Sequence, residues 1–373
     1  MLRITGLIKK TLKDFPEKIS PSVPDAKILI WNITGKCNLA CQHCYNRSGK
    51  FNENGLPKGT LLKVIPSLKE LGIKSVILSG GEPLLRSDVF DIAYALKKEN
   101  IMTSLSSNGT LINESNIEEI KENFDYVGIS LDGDEETHDK FRGAAGSFKK
   151  AANAVNLCME NDVKAGLRFS LTKFNFDKLD YFIDLALKFK VPKIYISHLV
   201  YSGRGASYDD LSTGRYAEIS RKIINTAIKL IEEGKKLDVV TGNSEEEAVV
   251  LLDIFGNRHP NLKDKLYKKL VRWGGNQAGV RLINIDYNGF IKPDPFYEYS
   301  AGNIQCDDIC EVYMKDPLFV KLKDRKRFLK GRCSSCKYLD ICNGGSRTRA
   351  YGIYNDYFAE DPSCYINRDN LLK

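Results

Sequence analysis

The alternation of short β-rich runs with helical patterns constrains the fold of this chain more than any other feature. Between residues 28 and 197 the candidate strands are Ile28–Asn32, Ser75–Ser79, Thr103–Ser106, Tyr126–Ser130, Ala165–Leu171 and Lys193–Ser197. The candidate helices between them include Leu61–Leu71, Val89–Glu99, Ser147–Asn161 and Leu179–Phe189. Alternating strands and helices predict βα units around a parallel sheet, whose right-handed crossovers bring the carboxyl ends of the strands to one face.

The pattern divides the chain into four parts. A long predicted helix over roughly residues 216–233 closes the α/β domain, which we place at residues 25–235. Apolar residues at helical spacing predict an amphipathic helix in an N-terminal segment, residues 1–24, packed on the body of the protein. Residues 236–276 contain a helical run that ends near Phe255, with irregular stretches around 241–247 and 272–279, and are predicted to be a linker on the substrate side. Residues 277–373 are predicted to form a small cysteine-rich domain.

Composition and charge exclude several classes of protein. Hydrophobic residues make up 42% and charged residues 28%, as in ordinary globular proteins, and no apolar run approaches the roughly 20 residues of a membrane span. The net charge is +8, but Lys and Glu are interleaved, with no basic block of the kind that binds nucleic acid. We therefore expect a cytoplasmic protein without nucleic-acid or membrane partners, whose mild basicity favours an anionic small molecule.

The ten cysteines are many for a cytoplasmic chain, and nine of them are clustered. Three lie near the start and six near the end, with Cys158 alone between them in a predicted helix, where we expect a small core residue. Disulfides rarely persist in a reducing compartment. The clustering therefore predicts metal or iron–sulfur ligation.

The first cluster consists of Cys37, Cys41 and Cys44. Three thiolates in one short loop can hold three irons of a 4Fe–4S cluster and leave the fourth open, whereas an electron-transfer cluster normally takes four cysteines. The open iron can bind the amino and carboxylate groups of an amino acid, such as the methionine end of S-adenosylmethionine (SAM). The alternative is a zinc site with a distant fourth ligand, although zinc sites more often use cysteine pairs separated by two residues.

The spacing of these three cysteines resembles the signature of the radical SAM superfamily, with His43 where an aromatic residue is common. The resemblance implies a catalytic 4Fe–4S cluster on the three cysteines and a partial (β/α)6 barrel of the TIM type over residues 25–235. Two further motifs agree with it, and the SAM contacts that they imply are Gly80, Gly81, Glu82 and Pro83 after the second strand, and Ser130 and Asp132 after the fourth. Asn108-Gly109 is interpreted as a turn.

The second cluster contains four thiols, at Cys333, Cys336, Cys342 and Cys364. Their spacing suits a fully ligated 4Fe–4S cluster or a structural zinc. The surrounding sequence resembles the SPASM or twitch-like extension of radical SAM enzymes, with Asp294 and Ser346 where that family has the cysteines of another auxiliary cluster. The resemblance therefore implies one auxiliary 4Fe–4S cluster besides the SAM cluster, and leaves Cys306 and Cys310 without a role.

Segments 241–245, 271–280 and 284–294 resemble the subgroup that acts on siroheme-derived tetrapyrroles. The resemblance implies cleavage of SAM to a 5′-deoxyadenosyl radical and removal of acetate groups from didecarboxysiroheme, giving Fe-coproporphyrin III in heme biosynthesis. The candidate substrate contacts are Arg272, Arg281 and Lys292 for carboxylates and Trp273 for stacking on the macrocycle. The alternative for each is a solvated or core side chain.

Two other functions stay open. A peptide-modifying SPASM enzyme would be supported by a leader-peptide-binding domain, for which the segment before Lys27 looks too small. A non-enzymatic iron–sulfur electron carrier needs neither an open-site cysteine loop nor the Gly80–Pro83 motif. A radical SAM enzyme would in addition need an electron donor, such as a ferredoxin or flavodoxin.

Overall fold

The computed structural model describes residues 1–13, 27–207 and 210–366. Its strands form one mixed sheet in the order β1-β8-β7-β6-β5-β4-β3-β2-β9-β10-β11. The strands are β1 Leu2–Arg3, β2 Lys27–Thr34, β3 Ile73–Gly80, β4 Met102–Ser107, β5 Tyr126–Ser130, β6 Ala165–Leu171, β7 Lys193–His198, β8 Asp238–Gly242, β9 Leu282–Ile285, β10 Phe290–Lys292 and β11 Gly302–Asn303.

The helices cover the outer face of the sheet and build the carboxyl-terminal region. They are α1 Ile4–Leu12, α2 Lys58–Glu70, α3 Val89–Lys98, α4 Ile117–Asn123, α5 Glu135–Arg142, α6 Ser147–Glu160, α7 Leu179–Lys188, α8 Thr213–Glu232, α9 Glu247–Arg258, α10 Lys263–Trp273, α11 Ile309–Lys315, α12 Pro317–Lys323, α13 Leu339–Cys342 and α14 Arg347–Tyr354. None of the helices in the described part of the chain is long and apolar enough to cross a membrane.

The six predicted strands are confirmed as β2 to β7, consecutive parallel neighbours with a helix after each. Side chains alternate between the two faces of each strand. On β5, for example, Val127 and Ile129 are fully buried in the main core, whereas Tyr126 and Ser130 on the other face are half-buried. The chain therefore has the α/β architecture of a partial barrel, with an apolar outer layer and a more polar inner face.

The sheet continues beyond both of the predicted domain boundaries. Residues 236–276 are more regular than a linker. They contain β8, which pairs in parallel with β7, the helix α9, which agrees with the predicted helical run, and the helix α10. The cysteine-rich part contributes β9, which pairs in parallel with β2 at the other edge. Both strands are only four or five residues long, so their apolar runs are too short to stand out in the sequence.

The N-terminal segment adds to the barrel edge. β1 pairs antiparallel with β8, and α1 buries Ile4 and Ile8 against the core, as the amphipathic pattern predicts. Residues 14–24 of the predicted segment lie outside the described residues. Cys158 is fully buried in α6, in agreement with a core role.

Candidate functional site

Cys37, Cys41 and Cys44 lie on the loop after β2, at the carboxyl end of the parallel strands. Cys37 and Cys41 are buried and pack with the half-buried Cys44 in a small apolar cluster that is separate from the main core. The backbone N–H of Cys44 donates to the Cys41 carbonyl (3.4 Å). The structure thus brings the three predicted ligands together.

The electrostatics of these thiols fit an iron–sulfur cluster. Burial raises the pKa of Cys37 to about 12, and burial also raises that of Cys41. Because ionised sulfur is unfavourable here without added positive charge, the site suits a cation that binds thiolate. Two N–H donors already point at the sulfurs, from Asn108 Nδ2 to Cys37 Sγ (3.9 Å) and from Arg142 Nη1 to Cys41 Sγ (3.7 Å). Hydrogen bonds to the sulfurs are one way in which proteins adjust cluster potentials.

His43 takes the place of the usual aromatic residue and behaves like one. Its ring stacks on Phe141 with a centroid distance of 4.0 Å and an interplanar angle of 10°. Phe141 stacks in turn on Phe174 at 5.5 Å. Burial, with the nearby Arg142 charge, lowers the pKa of His43 to about 3, so the ring is neutral and stacks as an uncharged aromatic.

The glycine motif packs directly on the backbone that leads into the cysteine loop. Gly81 N–H donates to the Thr34 carbonyl (2.7 Å) and Glu82 N–H to the Lys36 carbonyl (2.8 Å). A Cβ on Gly81 would come within 1.9 Å of the Lys36 carbonyl oxygen, and one on Gly80, whose φ is +131°, within 2.3 Å of the Thr34 carbonyl oxygen. Both positions therefore need glycine for this close approach.

The Glu82 carboxylate is fully buried and accepts three hydrogen bonds. Its donors are the Ser107 hydroxyl (2.9 Å), the Asn108 backbone N–H (2.7 Å) and the Leu84 backbone N–H (3.2 Å). Burial raises the pKa of this carboxyl to about 7. In the structure Glu82 thus ties the end of β3 to the end of β4, and the buried Pro83 follows it in a short 3-10 turn. A contact of Glu82 with the SAM ammonium stays a prediction.

Asp132 forms a buried ion pair. Its Oδ2 accepts from Arg142 Nε (2.6 Å), and its Oδ1 accepts from the Ser170 backbone N–H (2.7 Å). Burial by itself would raise the pKa of Asp132, but the Arg142 charge holds it below the ordinary value. Asp132 therefore positions the guanidinium that reaches Cys41. Ser130, at the end of β5, is half-buried on the inner face, where a ligand can reach it.

Sequence reasoning missed several residues that hold the cysteine loop. Arg204 donates to the carbonyls of Cys41 (2.7 Å) and Ser48 (3.0 Å), and its backbone N–H donates to the Cys44 carbonyl (2.9 Å). Asn108, interpreted as a turn residue, reaches Cys37. Its place after the third predicted strand, at the carboxyl edge of the sheet, was the available signal. Arg142 and Arg204 lie in charged or irregular segments that give no such signal.

One pocket is lined by Cys333, Cys336, Cys342 and Cys364, together with Glu246, which precedes α9, and Val249 of α9. All four side chains are half-buried. Burial raises the pKa of Cys333, Cys342 and Cys364, and the Glu246 carboxylate acts in the same direction. Within the described ranges, no three His, Cys, Asp or Glu side chains converge on a single ion. The pocket therefore brings the four predicted cysteines together in one place.

The Trp273-Gly274-Gly275-Asn276 stretch supports this second cysteine site. Gly274 ends α10 with a left-handed backbone, and a Cβ on Gly275 would lie 2.1 Å from the Cys342 carbonyl oxygen. The Asn276 N–H donates to the same carbonyl (3.2 Å). The motif therefore fixes the turn that carries Cys342.

The candidate substrate contacts are only partly brought together. Trp273 Nε1 donates to the Met1 carbonyl (2.9 Å), and Arg281 bonds to Gln277 and, at 3.5 Å, to the Arg272 carbonyl. These three candidates lie around the end of α10. Lys292 is apart from them on β10, in an ion pair with Asp286 (2.9 Å).

Asp294 and Ser346, which stand where the SPASM family has cysteines, have protein partners. Asp294 is buried and accepts from the Phe296 N–H (2.8 Å), and burial raises its pKa to about 7. Ser346 caps α14. Cys306 is exposed and Cys310 is half-buried, with its Sγ 3.5 Å from the Ser67 carbonyl oxygen. The structure gives neither of these last two cysteines a shared site.

Comparison with known proteins places the chain in a family. The model of the radical SAM superfamily matches residues 31–187. The structure resembles that of SuiB of Streptococcus suis bound to S-adenosylmethionine, with a TM-score of 0.71 and 18% identity, covering 91% of this chain and 77% of that one. At that identity the likeness concerns the fold.

Three curated relatives align over most of their length. Pre-heme d1 synthase of Dinoroseobacter shibae is 36% identical, covering 98% of this chain and 92% of the relative. Fe-coproporphyrin III synthase of Methanosarcina barkeri is 33% identical, with coverages of 96% and 93%. The mycofactocin maturase MftC of Mycolicibacterium smegmatis is 30% identical, with coverages of 91% and 83%. The chain belongs to the radical SAM superfamily and, within it, to the group that contains the first two of these enzymes.

Proposed function

We propose that this chain removes acetate groups from didecarboxysiroheme to give Fe-coproporphyrin III, a reaction of heme biosynthesis. The observation that carries the proposal is the 33% identity with Fe-coproporphyrin III synthase over 96% of this chain. The substrate carries several carboxylates, and the net charge of +8 favours an anionic ligand. A ferredoxin or flavodoxin serves as electron donor.

The residues around the first three cysteines have distinct tasks in this reaction. A 4Fe–4S cluster with SAM supplies reductive cleavage of SAM to a carbon radical. Cys37, Cys41 and Cys44 hold that cluster, and Arg142 and Asn108 donate to its sulfur ligands. The Gly80–Gly81 turn would hold the methionine amino group of SAM, and Ser130 would contact the ribose.

A second, auxiliary 4Fe–4S cluster is held by Cys333, Cys336, Cys342 and Cys364. The support for it is the single pocket that these four side chains line and the burial that raises the pKa of Cys333, Cys342 and Cys364. Four protein ligands leave no iron open, which suits electron transfer rather than substrate bonding.

The test is an anaerobic turnover assay. The reconstituted protein is given dithionite, SAM and didecarboxysiroheme, and products are followed by mass spectrometry. We expect losses that match acetate removal, abolished in Cys41→Ala because the SAM cluster loses a ligand. If 5′-deoxyadenosine forms and the tetrapyrrole is unchanged, this substrate is wrong. A protein that holds its clusters but does not cleave SAM would be an electron carrier.

Pre-heme d1 synthesis is the second candidate, and sequence identity does not rank it below the first, since that synthase is 36% identical to the chain. The same assay separates the two reactions, since Fe-coproporphyrin III and the d1-type product differ in mass and in absorption spectrum. A peptide-modifying activity is less favoured, as its relative is 30% identical and covers less of both chains.

A further inference from the structure

The inner face of the sheet carries three cations: Arg3 on β1, Arg168 on β6 and Lys193 on β7. Their neighbours on the same strands are buried in the main core, so the cations point to the inner face. Within the described part of the chain, none has a carboxylate within 4 Å. The carboxylate that most affects Lys193 is Asp238, which is engaged by Lys9 (3.5 Å) and Thr5 (3.2 Å).

Lys193 is held in place by an aromatic ring. Its Nζ lies 3.4 Å from the centroid of the Tyr126 ring. The Tyr126 hydroxyl lies over Gly166, where a Cβ would come within 2.2 Å of the hydroxyl oxygen. Glycine inside a strand weakens the strand and often marks a close approach. Gly166 thus makes room for the ring that orients the ammonium group.

Arg168 is oriented in the same manner. Its guanidinium lies 5.4 Å from the Tyr195 ring centroid, and a Cβ on Gly242 would come within 2.0 Å of the Tyr195 hydroxyl oxygen. Arg168 also donates to the Ser106 hydroxyl. It is paired in register with Ser130, so it lies one strand away from the proposed SAM contact.

The three charges repel one another. Burial, together with the charges of Arg3 and Arg168, lowers the pKa of Lys193 to about 8. Yet all three side chains are partly accessible to solvent. Among the described residues, these accessible, oriented cations have no acidic partners to compensate their charge, and a bound anion would relieve the repulsion between them.

We propose that Arg3, Arg168 and Lys193 form a subsite for the acidic side chains of the substrate on the inner face of the sheet. The inference rests on the proposed function, since it needs a substrate with several carboxylates. Arg168 pairs in register with Ser130 at the carboxyl end of β5, whereas Lys193 is the first residue of β7 and lies toward the amino end of the strands. A substrate that reaches all three cations therefore extends along the inner face from the SAM end toward the amino end. The methionine carboxylate of SAM is the other source of the same chemistry, and the experiment separates the two.

The test compares Lys193→Met with Lys188→Met, which makes the same change on the exposed surface of α7. In the reconstituted holoenzyme, didecarboxysiroheme binding is titrated by absorbance without reductant, and the KM for SAM is measured from 5′-deoxyadenosine formation. We expect Lys193→Met to weaken tetrapyrrole binding about 10- to 100-fold, with the KM for SAM changed less than about twofold. Lys193→Arg should restore most of the affinity, and Lys188→Met should match the wild type.

Two results would overturn the subsite alone. The first is a raised KM for SAM with unchanged tetrapyrrole binding, which would assign the cation to the methionine carboxylate. The second is a Lys193→Met variant that binds both ligands like the wild type while the wild type turns the tetrapyrrole over. A wild type that neither binds nor converts the tetrapyrrole would overturn the proposed function and the subsite with it.

Discussion

Arg142 is the residue on which two parts of the site depend. It pairs with Asp132, which is completely buried, and it donates to Cys41 Sγ. Removal of one partner of a buried ion pair costs about 3–5 kcal/mol, because the other charge stays buried without compensation. We expect Arg142→Met to lower the free energy of unfolding by that amount at pH 7.5.

The pH dependence follows from the same pair. Arg142 holds the folded-state pKa of Asp132 below its ordinary value, so in the wild type this stabilisation is present above the ordinary Asp pKa and is lost only as the pH falls through the folded-state value. In Arg142→Met the unpaired carboxyl of Asp132 protonates more readily. Protonation removes the free-energy cost of a buried charge without a partner. The difference in the free energy of unfolding between the wild type and Arg142→Met should therefore decrease as the pH falls from 7.5 to 5.

Thermal melts of the reconstituted protein at several pH values measure this difference. The double variant Asp132→Asn with Arg142→Met should be more stable at pH 7.5 than Arg142→Met alone. Lys140→Met, which changes an exposed cation on the same helix, is the matched control. Equal loss in Arg142→Met and Lys140→Met would contradict the role of the ion pair.

The sequence identifies the ligand residues better than the residues that orient them. The spacing of Cys37, Cys41 and Cys44 predicts a metal-cluster site directly, because one loop supplies all three thiols. Asp132 and Glu82 were predicted as SAM contacts from motifs alone. Their burial and their partners depend on residues of other elements, such as Arg142, which no local pattern relates to them.

At the scale of elements, the turn between α10 and the segment before β9 supports the auxiliary site. Gly275 has a φ of +65°, and a Cβ there would meet the Cys342 carbonyl oxygen at 2.1 Å. We expect Gly275→Ala to displace the turn and reduce the bound iron from about eight atoms to about four, because the proposed auxiliary cluster is lost. Iron analysis and electron paramagnetic resonance of the reconstituted protein measure this.

Gly59→Ala is the control for that substitution. Gly59 lies in α2, has an ordinary backbone conformation, and a Cβ there would meet nothing within 4 Å. Alanine should leave the iron content unchanged and stabilise the helix by about 0.5–1 kcal/mol. An unchanged iron content in Gly275→Ala as well would show that the turn tolerates displacement.

The helices and strands with a strong hydrophobic periodicity in the sequence were predicted well, and those with a weak periodicity were missed. β5 and β6 begin and end where the alternating pattern places them. α4 and α5 were missed, because both are short and dominated by charged residues. Their helical form depends on packing against the sheet and, in α5, on the Asp134 side chain that caps it.

At the scale of the whole molecule, the two predicted domains share one sheet. β9 pairs along four residues of β2, and β8 continues the sheet at the other edge. We therefore expect thermal unfolding of the reconstituted protein to give one calorimetric transition rather than two. Two well-separated transitions would show that the barrel and the cysteine-rich part unfold as independent units.

The pairing of β9 with β2 also limits how genes of this group can recombine. A crossover at residue 236 or 277 looks safe in an alignment, because it falls between the predicted domains. In a chimera, however, β9 from one parent must keep its register with β2 from the other, directly beside the loop that carries Cys37. Viable chimeras should therefore inherit β2 and β9 together, and the two strands should exchange as one hereditary unit although about 250 residues of sequence separate them.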